Sequence, residues 1–291
     1  MSGHVVHERC LNCAAPLMGK YCAACGQKDQ SDHPELHHFI HEVVHEFVHV
    51  DGKTIHSLKM LLLSPGTMTL EYWAGRRVAQ IPPLRLYLVA SIIMFGLISI
   101  LPNAKRIPFE PTMRVTSDDY DHGTPHSILD LPVEKRKEIV SGSFDGNSFL
   151  KEPLLKAVED PTEFRHRLLG NASKTMFLML PLFALVVQIV FRSAKRVYLE
   201  QVILALHIHS LAFVLFAAAA LMSSEGHSFL RYVSDLLLLL GIPIYGLLTF
   251  KKVFGFSWFS TVIRSAVVVF AYSIIFVVTE IGLVAATLSS L

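Results

Sequence analysis

Long runs of apolar residues are the feature that most restricts how this chain can fold. Four runs have 17 residues or more: Thr175 to Phe191, Gln201 to Met222, Tyr232 to Phe250 and Ser265 to Leu288. Each is long enough to cross a hydrocarbon core of ~30 Å as a helix that rises ~1.5 Å per residue. A shorter run, Leu86 to Leu101, reaches that length if Leu84 and a snorkelling Arg85 are added. The sequence therefore predicts an all-α integral membrane protein with about five transmembrane helices.

The lysines and arginines near the ends of these runs predict the orientation of the chain, because cytoplasmic loops are enriched in basic residues. The loops after the second and fourth runs are basic and carry Arg192, Lys195, Arg196, Lys251, Lys252 and Arg264. The loop Ser223 to Leu230 has no Lys or Arg, and neither does the end of the chain after the last run. We therefore expect a cytoplasmic N-terminus and an extracytoplasmic C-terminus.

All four cysteines of the chain lie near its start, in the pairs Cys10-x-x-Cys13 and Cys22-x-x-Cys25. Two such knuckles, joined by a short hairpin, predict a ribbon whose four thiolates bind one Zn²⁺ at ~2.3 Å. A redox dithiol and incidental free thiols are the alternatives, but a lone redox pair does not explain the second knuckle. Because four cysteines leave no open coordination position, we expect the zinc to be structural.

Residues 35–50 form an amphipathic helical pattern that is rich in histidine. At about 100° per residue, the apolar residues, the five histidines and the three glutamates occupy separate arcs of the helix. Such a helix before a membrane domain typically lies in the headgroup region or packs on the cytoplasmic ends of the spans. A histidine-based metal or pH sensor is the alternative, since histidine changes charge near pH ~6.5.

Within this pattern, His41-Glu42-Val43-Val44-His45 matches the H-E-x-x-H motif of zinc hydrolases. In that motif two histidines one turn apart hold the metal, and the glutamate is the general base. Here the histidines belong to a longer stripe, and the sequence identifies no third ligand. The candidate catalytic residues His41, Glu42 and His45 are therefore the weakest of the site predictions.

The segment before the first span predicts two short helices joined by a turn at Ser64-Pro65-Gly66, followed by a break at Pro82-Pro83. Three aromatic residues are expected at the membrane interface: Tyr72, Trp73 and Tyr87. Three arginines are expected to face lipid headgroups: Arg76, Arg77 and Arg85. The predicted domains are a zinc ribbon (1–30), cytoplasmic amphipathic helices (31–81) and a membrane domain (82–291).

The loop of residues 102–173 after the first span is rich in charge, with 10 Lys or Arg and 12 Asp or Glu. Two weak helical patterns, at about Pro132 to Ser141 and Leu154 to Leu169, predict a small extracytoplasmic cap. A solvated, partly ordered linker is the alternative.

Ionisable residues inside the spans are costly, so each is a candidate for transport or for an interhelical contact. They are Glu200, His207, His209, Asp235 and Glu280. His207 and His209 are about 200° apart on one helix and so should face different neighbours. Two glycines and a proline predict an interruption of the fourth span: Gly241, Pro243 and Gly246.

Several motifs together resemble a family of uncharacterised bacterial inner-membrane proteins with an N-terminal zinc ribbon, domain of unknown function 3667. They are the cysteine pairs with Gly26-Gln27, Asp51-Gly52-Lys53, Pro65-Gly66, Gly75-Arg76-Arg77, Pro83 to Tyr87, Pro181 to Leu185, Tyr198-Leu199-Glu200 and His207-Ile208-His209. The resemblance covers nearly the whole chain except residues 102–173, and it implies a fold and a bacterial inner-membrane location but no established activity. The family commonly has a histidine where this chain has Gln201.

Two functional classes follow from these features. In the first, the protein is a non-enzymatic scaffold or adaptor whose cytoplasmic ribbon binds a protein partner or the lipid surface. In the second, it is a small-molecule or proton-coupled transporter that uses the intramembrane His, Asp and Glu residues. A membrane zinc metallohydrolase is a third and weaker alternative. A net charge of +2 gives no reason to expect nucleic acid as a partner, and a homo-oligomer is compatible with each class.

Overall fold

The computed structural model of the chain describes residues 7–29, 52–101, 132–142, 151–224 and 228–290. Within these ranges the chain forms ten α-helices: α1 (Gly52–Leu63), α2 (Thr67–Trp73), α3 (Pro83–Ile100), α4 (Val133–Gly142), α5 (Lys151–Glu159), α6 (Pro161–Val190), α7 (Tyr198–Ser224), α8 (Ser228–Leu236), α9 (Ile242–Phe254) and α10 (Trp258–Ser289). A five-residue π-helical turn, Leu237–Gly241, joins α8 to α9. The cysteine-containing segment has no helix and forms two isolated β-bridges, Arg9 with Pro16 and Tyr21 with Lys28.

Five of these elements are long and apolar enough to cross a membrane: α3, α6, α7, the continuous α8 and α9, and α10. The predicted five-span helical membrane fold is therefore confirmed. The π-helical turn lies at the predicted interruption of the fourth span, and α9 begins next to Pro243.

Proline and capping residues decide where the spans begin. The first span starts at Pro83, three residues before the predicted Leu86, because a proline in the first turn needs no N–H partner. The second span belongs to a much longer helix than its apolar run predicted. Its N-cap, Asp160, accepts hydrogen bonds from the backbone N–H groups of Thr162 and Glu163, at 3.1 and 3.0 Å.

The two predicted helical patches of the charged loop are both helical. Helix α4 coincides with the first patch, but the second patch is divided at Asp160 into α5 and the start of α6. Helices α4 and α5 pack through Val140 and Val158, with Ile139, Leu154 and Leu155 beside them. This small apolar contact holds the pair together outside the membrane spans.

Helix α7 is the centre of the bundle and the most buried of the five spans. It packs against α3, α6 and α8, while α10 packs mainly on α6. Helices α1 and α2 join the same core, since Leu61 and Met68 lie in one apolar cluster with Leu211 of α7. Helix α10 carries a long apolar surface that faces away from the bundle, as expected for a lipid-facing helix.

Three aromatic residues that are expected at the membrane interface are buried within the protein. Tyr72, Trp73 and Tyr87 are 3%, 7% and 0% exposed. Tyr87 packs edge-on against Phe177 and tilted against Phe213. An aromatic ring suits a helix interface as well as a headgroup region. Burial in the protein therefore leaves the expected depth of these residues at the membrane interface a prediction.

Candidate metal centre and buried polar residues

Each cysteine pair lies on a turn of the same local form. The carbonyl of Cys10 accepts from the N–H of Ala14 at 2.8 Å, and the carbonyl of Cys22 accepts from the N–H of Gly26 at 2.8 Å. Both closing residues have positive φ, 60° at Ala14 and 74° at Gly26. The two turns are thus an internal repeat shifted by twelve residues (22 − 10), which the repeated C-x-x-C followed by a small residue could have revealed.

The two turns bring the four thiols together. The sulfur atoms of Cys10, Cys13, Cys22 and Cys25 all lie within 4.8 Å of one another. The pairs Cys10 with Cys25 and Cys13 with Cys22 are each 3.5 Å apart. Four sulfurs at ~2.3 Å around a tetrahedral ion would be ~3.8 Å apart, so the arrangement fits a four-coordinate metal ion.

The pKa values of two of the thiols are shifted in opposite directions. The backbone N–H of Cys25 is the main cause that lowers the pKa of Cys22 to about 7. At Cys13 the N–H of Ala15 acts in the same direction, but the neighbouring thiols and burial raise its pKa to about 12. Four adjacent thiolates repel one another, so full ionisation requires a positive charge among them.

The ribbon lies against the loop between α2 and α3, and Gln27 is its main polar contact. The Gln27 side chain donates to the carbonyl of Gly75 at 2.8 Å. Its oxygen accepts from the backbone N–H groups of Arg77 and Val78, at 3.1 and 3.3 Å. Gly75 has a φ of 77°, and a Cβ there would lie 2.6 Å from the Leu11 Cδ1 atom. The Gly26-Gln27 and Gly75-Arg76-Arg77 motifs are therefore two sides of one contact.

The two histidines of α7 face different helices, as their angular separation predicted. His207 lies 2.9 Å from the Thr69 hydroxyl of α2 through Nδ1, and its Nε2 has no hydrogen-bond partner among the described residues. Nδ1 of His209 donates to the Ala205 carbonyl at 2.8 Å. In the neutral ring, Nε2 of His209 then accepts from the Tyr272 hydroxyl of α10 at 2.7 Å.

Glu200 caps the start of α7. Its carboxylate accepts from the backbone N–H of Val197 at 3.0 Å and pairs with Arg196 at 3.3 Å. The indole N–H of Trp73 donates to the Glu200 carbonyl at 3.2 Å, and Arg196 lies over the Trp73 ring at 4.6 Å. The Glu200 side chain is 6% exposed. These local contacts explain its position without a role in ion transport.

The structure does not bring the other two acidic candidates to the histidines. Asp235 is exposed on α8, and Glu280 is half-buried on α10. No hydrogen bond or ion pair between described residues connects either carboxylate to His207. The predicted role of Asp235 and Glu280 in transport stays a prediction.

The other predicted site residues differ in their contacts and exposure. Arg76 pairs with Glu71 at 2.7 Å, and Arg77 lies over the Tyr72 ring at 5.2 Å. Arg85 is partly exposed at the start of α3. The histidine-rich pattern and the candidates His41, Glu42 and His45 lie outside the described residues, so the hydrolase and sensor hypotheses stay predictions.

Comparison with known proteins supports the resemblance over one segment of the chain. Residues 51–95 match the family model described as Protein of unknown function (DUF3667). The matched segment contains α1, α2, the loop that contacts the ribbon and most of α3. No curated protein and no solved structure matches the chain.

Proposed function

We propose that this protein is a non-enzymatic scaffold or adaptor of the bacterial inner membrane, whose ribbon holds one structural Zn²⁺ and recruits a protein partner. The observation that carries the proposal is the four-thiol cluster beside the membrane domain, with Gln27 bonded to residues Gly75, Arg77 and Val78. A closed set of four ligands leaves no position for a substrate, whereas a small metal-held fold offers a rigid binding surface.

Zinc is the metal we assign, because four thiolates in tetrahedral reach select soft or borderline ions. An iron–sulfur cluster also uses four cysteines, but it needs room for inorganic sulfide between the ligands. The 3.5 Å separation within two of the sulfur pairs supports a single ion.

A cytoplasmic ribbon is supported by the basic residues at the same end of the bundle. Arg196 stacks on Trp73 next to the ribbon-contacting loop, and Lys252 donates to Thr67 at 2.6 Å. Arg264 donates to the Val190 carbonyl at 2.7 Å. The basic loops after the second and fourth spans therefore lie with α2 and the ribbon, which is the arrangement expected for the cytoplasmic face.

The part of the ribbon between the two cysteine turns is the surface we assign to the partner. Met18 is 99% exposed and Tyr21 is 62% exposed, in a segment that also carries Lys20. Exposed methionine and tyrosine side chains are characteristic of protein-binding surfaces. They lie on a segment separate from Gln27, so a bound partner and the membrane domain use different side chains.

Crosslinking with mass spectrometry in native membranes tests the proposal. The wild type should give a reproducible partner whose crosslinks to residues 16–21 disappear in the Cys22→Ser/Cys25→Ser variant. The same crosslinks should persist in Glu280→Gln and His207→Ala. Loss of the partner in Glu280→Gln with retention in the cysteine variant would contradict the adaptor proposal.

Transport is the second candidate, and two observations favour it. Glu280 is half-buried without a hydrogen bond to any described residue, and the fourth span contains a π-helical turn, a feature frequent at functional sites. Proton flux into proteoliposomes separates the candidates. Flux above that of protein-free vesicles, abolished by Glu280→Gln, supports transport, and its absence supports the scaffold.

A further inference from the structure

We infer that the metal of the ribbon controls a detachable contact between the ribbon and the membrane domain, with Gln27 as the side chain that recognises the Gly75–Val78 loop. The inference rests on the proposed metal-binding ribbon and adds its regulation. It concerns a contact within the chain and needs no partner to be identified.

Gln27 is positioned by the second cysteine turn. Its carbonyl accepts from the N–H of Cys22 at 2.8 Å, and it directly follows Gly26, which closes that turn. The residue is 7% exposed, and its amide both donates and accepts, as recognition of a backbone edge requires. A change in the turn that holds Cys22 and Cys25 therefore moves the amide away from the loop.

The first cysteine turn contributes the apolar half of the same contact. Leu11 lies between Cys10 and Cys13, and it packs where Gly75 lacks a Cβ. The loop is therefore touched by one residue from each turn. Leu11 and Gln27 contact the loop at the same time only while the two cysteine turns keep one relative position.

The thiols link the two turns, since Cys10 with Cys25 and Cys13 with Cys22 each pair one turn with the other at 3.5 Å. Apart from the thiols, the described contacts between the two halves of the ribbon include those of His7, whose backbone N–H and Nδ1 lie 3.1 and 2.6 Å from the Asp29 carboxylate. A segment of this size has little core, so its fold depends on metal binding. Loss of the metal should separate Leu11 from Gln27 and release the loop.

The loop is connected to the centre of the membrane domain. It follows Trp73, which donates to the Glu200 carbonyl of α7, and the same short helix α2 carries Thr69 beside His207. Release of the loop removes the restraint on one end of α2. A change at the thiols can therefore affect α7, the most buried span, through a chain of direct contacts.

Hydrogen–deuterium exchange on the full-length protein in nanodiscs tests the inference. In the metal-loaded wild type, the amides of Arg77 and Val78 should be protected. Chelation should speed their exchange by about tenfold or more, since their acceptor is lost. Metal-loaded Gln27→Ala should exchange at the same faster rate while keeping its metal.

Asn12→Ala is the matched control, because Asn12 also lies between two cysteines of the ribbon but is not part of this contact. It should keep both the metal and the protection. Gly75→Ala should keep the metal and lose the protection, and Leu11→Ala in the same chain should restore part of it. Unchanged exchange of Arg77 and Val78 after chelation, or in Gln27→Ala, would overturn the inference while leaving the metal site intact. A wild type that binds no metal would instead overturn the proposed function.

Discussion

The ribbon and helix α7 hold their polar groups in opposite ways. In the ribbon, four thiols that lie within 16 residues of sequence (10 to 25) converge on one point. In α7, the side-chain partners of His207 and His209, which are Thr69 and Tyr272, lie 138 and 63 residues away in sequence. We therefore expect the ribbon to depend on a bound ligand, whereas these two histidine contacts depend on the packing of other helices against α7.

This difference also determines how far the loss of one interaction affects the structure. Removing the metal leaves at least one thiol in contact with water, because Cys13 is exposed. Removing a partner from α7 leaves a polar atom inside a membrane span, where no water replaces it. The first change is large and begins in the ribbon and its contact with the membrane domain, and the second is smaller but acts directly on the packing of the membrane domain.

Chelation of the metal should have the largest effect. All four cysteines should become reactive to a thiol probe, since a structural zinc contributes about 10 kcal/mol to a small fold. The helical circular dichroism signal should stay unchanged, because residues 7–29, which are the described part of the ribbon, contain no helix. Loss of helical signal on chelation would show that the two regions are not separable.

Tyr272→Phe should destabilise the membrane domain by about 1–2 kcal/mol, because Nε2 of His209 would lose its donor inside the bundle. Denaturation by sodium dodecyl sulfate in mixed micelles measures this difference. Tyr232→Phe is the matched control, since Tyr232 is 67% exposed and should change nothing. Equal midpoints for both variants would contradict the role given to the His209 contact.

Glu200→Gln should cost about 0.5–1 kcal/mol, because the amide oxygen still accepts from Val197 but the charge at the helix N-terminus and the pair with Arg196 are lost. Glu163→Gln provides a control that also pairs with an arginine, Arg167, but outside the apolar part of its helix. The same denaturation assay should give a smaller change for Glu163→Gln. A reversed order would contradict the buried setting of Glu200.

Glu71→Gln should have the smallest effect, about 0.5 kcal/mol or less, because the pair with Arg76 is partly exposed. The hydrogen bond from Arg76 lowers the pKa of Glu71 below its ordinary value of 4.5. Its stabilisation is therefore complete above that value and is lost as the pH falls through the lowered pKa. The stability of wild type and variant should converge in acid, and a constant difference would contradict the ion pair.

Sequence reasoning found the ribbon and the five spans because both signals are local. Cysteine spacing defines a metal site within one short segment, and a run of apolar residues defines a span without knowledge of its neighbours. The angular spacing of residues along a helix also predicted that His207 and His209 face different neighbours.

What the sequence did not reveal are the contacts between distant segments. Nothing near Gln27 indicates that it would bond to Gly75 and Val78, which are about fifty residues away along the chain. The burial of Tyr87 was missed for the same reason, since its neighbours Phe177 and Phe213 belong to other spans. The length of α6 was missed because an apolar run does not reveal a cap such as Asp160 that lies before it.

Metal content is the measurement that tests the account most directly. Detergent-purified protein should contain one zinc per chain, and the Cys22→Ser/Cys25→Ser variant should contain none. Protein without metal would contradict the ribbon as the centre of the account. A metal ion that survives in the variant would place a site elsewhere in the chain, and the histidine stripe with His41 and His45 would then be the first segment to test.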